Sequence, residues 1–342
     1  MDGRFRLLVV ALGFWLICGV GICHGIPVPP LNIGILCKSS DIVVAGRIGP
    51  FTKVDTTAVT IGSTTYTADV MEGTITVNAV LKGADAPSIK FKVLVLSLPG
   101  GSVGMDGIPV GAYRVVFLRK DGEEYRVTDS YHPSLPATSS IYPIGDEPAD
   151  KVISIGCSVI GGSDIPSGDR LEAMWSVRQL DNPCIKPALH EAALRPEPEI
   201  KLTAEAELIA RNDVVTLGTA LPQILEPEER MPAYLRHNIL FSVGTGVKDR
   251  AAIPFLAALM KKGDEETRAA AADALKNIGS QECFPLLVSA LSDSSQQVRY
   301  TAVTALADIN DVPAMHPSIP AFRDDEKKYL SYWQEWAIQM RK

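Results

Sequence analysis

Two stretches, Asp264–Gly279 (DEETRAAAADALKNIG) and Ser294–Asn310 (SSQQVRYTAVTALADIN), decide how the second half of the chain folds. Aligning residues 253–278 with 284–309, a shift of 31 without gaps, brings identities into register. Pro254 meets Pro285, Leu256 meets Leu287, Arg268 meets Arg299, and Ala271 meets Ala302. Ala274, Leu275 and Ile278 meet Ala305, Leu306 and Ile309. A shift of 32 in the other direction finds a fainter copy in Leu221, Pro222, Ile224, Arg236, Ile239 and Val243. The interval from proline to arginine is 14 in all three copies, which chance does not readily produce.

Each copy reads as two amphipathic helices. Proline sits in the first turn of the leading helix, where its missing N–H costs no hydrogen bond. A polar break follows, Lys261-Lys262-Gly263-Asp264 in one copy and Ser292-Asp293-Ser294-Ser295 in the next, and supplies capping side chains for the second helix. A hairpin of this size cannot bury its apolar face alone, so the units must stack around one continuous core.

These stretches resemble the second helix of HEAT-type repeats, in the short-unit form named after phycobilisome lyases. The resemblance is strongest over residues 250–310 and extends to 200–342. It implies a right-handed α-solenoid used for contact with a protein or peptide partner. Some relatives act on bilin chromophores, which is the enzymatic reading the resemblance brings with it.

Arg236, Arg268 and Arg299 recur at one position and should form a ladder along the stack. Such a ladder is either a brace to the turn of a neighbouring unit or a basic strip for an acidic partner. Beyond the last copy, Phe322, Tyr329, Tyr332, Trp333 and Trp336 cluster, with Tyr329, Trp333 and Trp336 on one helical face. Trp333 and Trp336 either cover the open end of the core or anchor a partner.

Before the repeats the texture changes. Asp41–Ile48, Thr74–Leu81, Ile89–Val95, Tyr113–Leu118, Glu124–Val127 and Val152–Ile155 read as short strands bounded by Gly, Pro and Asp. An all-β small barrel or sandwich is expected over 31–160, then a linker with helices over 161–199 and the repeat domain over 200–342. A cysteine before DIVVAGRI, a strand ending VLKG, and GAYRVVFL after a Gly-rich loop resemble the netrin-like, OB-type β-barrel module. That resemblance implies, as an alternative function, an enzyme or protease inhibitor on the β-domain with the repeats as a docking arm.

Arg4 and Arg6 precede an apolar run from Leu7 to Cys23 and then small residues, the pattern of a secretory signal over residues 1–25. A secreted or periplasmic protein is expected, linked to a membrane only if that segment stays uncleaved. Export permits disulfides among Cys37, Cys157, Cys184 and Cys283. Cys37 with Cys157 is the first candidate pair, Cys157 with Cys184 its competitor, and Cys283 reads as a buried free thiol.

The chemistry of catalysis is thinly represented. His132, His190, His237 and His316 lie on separate elements, and no zinc-protease, nucleotide-loop, dinucleotide or EF-hand motif occurs. Gly100–Gly104 matches G-x-S-x-G by letters, yet Met105-Asp106-Gly107-Ile108-Pro109 follows where a nucleophile elbow needs a helix. No cofactor or metal site is indicated. A net charge of -7, with 33 Lys+Arg against 40 Asp+Glu, disfavours nucleic acid as partner. A non-catalytic, extracytoplasmic adaptor is the reading these features favour.

Overall fold

The computed structural model describes residues 31–61, 64–98, 101–103, 108–226 and 230–340. The expected signal segment lies outside them. The chain divides into two compact units, residues 1–159 and 160–342.

The first unit opens with α1 (Ile33–Ser39). Asn32 caps its start by accepting from the Ile35 N–H at 2.9 Å. The Lys82 ammonium closes its end, donating to the Cys37 carbonyl at 2.8 Å and to Ser40 O. Eight strands then form a single sheet. They are β1 (Ile42–Ile48), β2 (Thr52–Ile61), β3 (Thr64–Lys82), β4 (Ser88–Leu98), β5 (Gly101–Val103), β6 (Tyr113–Asp121), β7 (Glu124–Val127) and β8 (Ser134–Pro136).

The pairings β3–β1, β1–β6, β6–β7 and β3–β4 are antiparallel. β4 meets β7 in parallel through one residue pair, Lys92 with Arg126. Five strands thus make a partly open ring, joined at one point between β4 and β7 and short of a clean barrel. The sandwich alternative is not realised, because the described strands belong to one sheet. Alternation along β4 places Ile89, Phe91 and Val93 in the core beside Val44, Ile75 and Leu118.

Val152–Ile155, expected as a strand, is part of α2 (Pro148–Gly161). The β-branched run is misleading, because apolar residues continue at helical spacing through Cys157, Val159 and Ile160. Pro148 at the first position and Asp150 in the first turn both suit a helix start.

The second unit is helical. α3 (Ser167–Ser176) is followed by five hairpins. They are α4 (Ile185–Ala193) with α5 (Pro198–Ala210), α6 (Val214–Ile224) with α7 (Ala233–Gly246), α8 (Ile253–Lys262) with α9 (Glu265–Ile278), α10 (Phe284–Ala290) with α11 (Gln296–Ile309), and α12 (Ile319–Asp324) with α13 (Glu326–Gln339). The expected boundary at 199/200 falls inside α5. Pro198, read as punctuation, is the residue that starts this helix. One core runs from Ala206 to Trp333, through Leu256, Leu275, Leu287 and Leu306. Among the described residues no helix is long and apolar enough to cross a membrane.

The second helices pack side by side, and the closest approach is at the ends of α5 and α7. A Cβ on Gly246 would stand 2.4 Å from the Ala210 Cα and 2.7 Å from two backbone carbonyl oxygens of α5. Gly246→Ala should therefore force the helices apart and cost about 1–3 kcal/mol in urea unfolding, although alanine is the better helix former.

Candidate functional site

The arginine ladder is the most repetitive feature of the helical unit, and its geometry assigns its role. Arg236, Arg268 and Arg299 each occupy the fourth position of their helix, in α7, α9 and α11. Arg268 is the clearest rung. Its Nε and Nη2 donate to the two Asp293 carboxylate oxygens at 2.8 and 2.9 Å, and its Nη1 donates to Gly263 O at 3.1 Å. One planar group therefore holds the end of α8 and a carboxylate just before α11.

Arg299 repeats the arrangement, donating from Nε to Glu326 at the start of α13 at 2.5 Å and from Nη1 to Asp293 O at 2.7 Å. Arg236 donates to Asp264, the N-cap of α9, to Thr267 Oγ1 at 2.9 Å and to Ile224 O at 3.3 Å. The side chains of Arg236, Arg268 and Arg299 are 3%, 18% and 20% exposed, so they form an internal brace and not a basic strip.

Sequence comparison missed a further rung. Arg170 is also fourth in its helix, α3, and donates from Nη2 to Glu197, the residue before α5, at 2.8 Å. The register is broken at α5, where Lys201 holds the fourth position and lies 3.8 Å from Glu205 of its own helix. Here Tyr234 Oη donates to Glu199 at 2.7 Å instead. The signal was present in the interval of 31 between Arg170 and Lys201, which also aligns Leu171 with Leu202 and Ala173 with Ala204, but the arginine itself is replaced by lysine at the second position.

The rung carboxylates are held below their ordinary range. At Asp293 and Glu326 the leading cause is the hydrogen bond from arginine, acting against partial burial. At Asp264 burial acts upward, and the Thr267 hydrogen bonds with the charges of Arg236 and Arg268 outweigh it. Elsewhere burial wins. It raises Glu205, raises Glu207 despite Arg211 and Arg178, and raises Asp273 despite a hydrogen bond from Thr301.

The aromatic cluster is a terminal cap. Trp333 is fully buried and Tyr329 nearly so, with the Trp336 ring tilted against Phe284 at 5.0 Å and edge-on to Trp333 at 5.6 Å. Trp333 Nε1 is buried without a hydrogen-bond partner. Solvent-facing aromatics lie elsewhere: Tyr234 and Phe241, 53% and 52% exposed, stand two turns apart on α7 with exposed His237 between them. Sequence reasoning passed over them because each falls between positions that match across the repeats.

The cysteines and the serine motif resolve differently from expectation. Cys37 is a free buried thiol whose pKa burial pushes up to about 11, so the expected Cys37–Cys157 bridge is not formed. Cys157 and Cys184 are disulfide-bonded, and Cys283 is free and buried. The reason is that Cys157 is already committed to a disulfide while the Cys37 thiol is enclosed at the end of α1. Ser102 lies within β5, paired with Ser97 in an antiparallel hairpin and not at a strand-to-helix turn. The flanking Gly100 and Gly104 lie outside the described residues. Among the described residues no three His, Cys, Asp or Glu side chains are grouped to hold a metal.

Stacked hairpins with a shared core and a recurrent inter-hairpin brace define an α-solenoid. The model of HEAT repeats matches residues 218–307 and 253–339, so this part of the chain is HEAT-like. Among solved structures it is similar to the complex of CpcE and CpcF of phycocyanin lyase from Nostoc sp. PCC7120, with 20% identity and a TM-score of 0.33 over 52% of this chain and 70% of that one. It is also similar to human deoxyhypusine hydroxylase in complex with glycerol, with 20% identity and a TM-score of 0.26 over 55% of this chain and 73% of that one. No curated protein matches the chain.

Two outcomes follow from this geometry. A carboxylate with a depressed folded pKa contributes stability that is complete above its unfolded value, near 4, and lost as pH falls through the folded value. Arg268→Ala should cost about 2 kcal/mol at neutral pH and flatten the loss of stability between about pH 5 and pH 3, as read by urea unfolding across pH. At the cap, Trp333→Phe removes an unpartnered donor and should stay within about 1.5 kcal/mol of the parent, whereas Trp333→Ala should lose about 3–5 kcal/mol in the same assay.

Proposed function

We propose that this chain is an extracytoplasmic adaptor that holds a protein or peptide on the exposed face of its HEAT-type solenoid and performs no chemistry of its own. The observation that carries this reading is the division of labour within the second helices. Their arginines are engaged in braces, while α7 alone among the helices α5, α7, α9 and α11 presents two large exposed aromatic rings, Phe241 and Tyr234, the latter committing only its hydroxyl to Glu199. Aromatic side chains on a rigid helix are the usual anchors of an interface, since they bury much area at little entropic cost. The HEAT-repeat match supports contact with protein as the general role.

Export is supported by the apolar N-terminal segment behind Arg4 and Arg6 and by the disulfide-bonded Cys157 and Cys184. Disulfides persist in oxidising compartments and are rare in the cytosol. The raised carboxyls Glu205 and Glu207 do not point to catalysis, because both are enclosed within α5 and Glu207 is ion-paired to Arg178 and Arg211 at 2.9 and 2.8 Å.

The test is an affinity capture from the native envelope fraction with the full chain and with a Tyr234→Ala/Phe241→Ala variant. A specific partner held by the parent and reduced at least about tenfold by the double variant is expected, as for loss of interface anchors. Equal capture by both chains would overturn the assignment of the face.

A further inference from the structure

The first unit contains a cavity of about 430 Å³ whose lining has an unusual order. One wall is five consecutive residues of β4: Ser88, Ile89, Lys90, Phe91 and Lys92. Side chains on a strand alternate between faces, so a cavity touching every residue in a row reaches around the edge of the strand, and Glu72 of β3 shows that it also extends over one face. The opposite wall is again consecutive, Glu123, Glu124 and Tyr125, at the start of β7.

The other edges of these strands are occupied. β4 pairs with β3 from Ser88 to Leu96, and β7 pairs with β6. β4 and β7 meet only at Lys92 and Arg126, so Lys90 and Phe91 run beside the start of β7 without pairing to it, and Ser88 and Ile89 face the turn before it. The cavity is therefore the open seam of the ring, with backbone groups of a strand along its side. Its inner side is apolar, with Ile89 and Phe91 in the core and Tyr125 beside them. Its outer rim is charged. Lys92 is paired to Glu124 at 2.6 Å and Lys90 to Glu72 at 3.6 Å. Exposed Glu123 is the remaining carboxylate of the rim, and the lining carries one more acid than base.

We propose that this seam binds an extended peptide segment of a partner protein by strand addition. The segment alternates apolar residues, turned toward Ile89 and Phe91, with polar residues at the rim, one of them basic and opposite Glu123. Backbone hydrogen bonding to a free strand edge supplies affinity, and alternate side chains supply selectivity. The volume lies within the range of ligand-binding cavities, about 300–1,000 Å³. This site concerns the other unit and stands or falls independently of the solenoid reading.

The probe is acetyl-Thr-Val-Lys-Val-Thr-amide, titrated into the full chain by calorimetry and followed by amide chemical shifts. The expected result is binding that perturbs the amides of Ser88–Lys92 and Glu124–Arg126. Glu123→Lys, an exposed change in the β6–β7 turn, should weaken this peptide about fivefold and strengthen the Val-Glu-Val counterpart by a similar factor. Ala86→Trp, which fills the end of the cavity, should abolish binding of both. No binding at millimolar peptide, shifts confined to other residues, or an affinity indifferent to Glu123→Lys would each overturn the proposal.

Discussion

Arg268 touches three helices at once. Its guanidinium sits fourth in α9, takes up the carbonyl of Gly263 at the end of α8, and forks onto Asp293 ahead of α11. The termini of helices leave backbone groups unpaired, and the C-terminal carbonyl end of a helix favours positive charge as the N-terminal end favours negative charge. A single arginine meets both demands, because one of its nitrogens serves a helix end while the others hold the carboxylate that serves a helix start. Asp293 in turn accepts from the Ser295 N–H at 2.8 Å, as Asp264 accepts from the Thr267 N–H at 3.0 Å. The same device that ends one hairpin therefore sets the position of the next, and register is passed along the stack by chemistry at the turns.

Such a stack is quasi-one-dimensional, and its weak points are its ends and any interface without a rung. Both are treated with other means. At the far end the aromatic residues of α13 replace the arginine: Tyr329 holds the fourth position and Trp333 closes the core. Between α5 and α7 the absent rung is replaced by the Tyr234–Glu199 hydrogen bond, by close approach of Gly246 to Ala210, and by Asn212, whose side-chain oxygen accepts from the Lys248 and Asp249 N–H groups at 2.7 and 3.0 Å. Asn212 adopts φ of 59°, a left-handed conformation that asparagine tolerates better than most residues.

What was legible beforehand follows from what repetition encodes. Pro254 and Pro285, with Arg268 and Arg299, serve the same local purpose in each hairpin, so the repeat itself displayed the architecture and raised the brace as a reading of the ladder. Arg170 does the same work, but the next unit has Lys201 in its place, and the Leu171/Leu202 and Ala173/Ala204 matches beside it are too few to display the register. The β-unit was legible where alternation was strong, as in β4, and misleading where β-branched residues serve a helix, as in α2. Cysteine pairing depends on distance across the fold, which spacing along the chain does not encode. The exposed pair Tyr234 and Phe241 was invisible for the opposite reason: residues free of the repeat's constraints are the ones that repeat comparison discards.

That last point bears on where function sits in a chain of this kind. Positions that recur across the hairpins are fixed by the need to stack, and here they are buried or braced, as Arg236 and Leu275 are. Selectivity for a partner cannot reside in them, since they are already committed to neighbours and repeat from one unit to the next. What differs from the pattern is the exposed aromatic pair of α7 in the helical unit and, in the β-unit, the stretch Ser88–Phe91 of β4, paired with β3 on one side alone. Both are departures from a regular pattern, and each leaves binding capacity that folding does not consume.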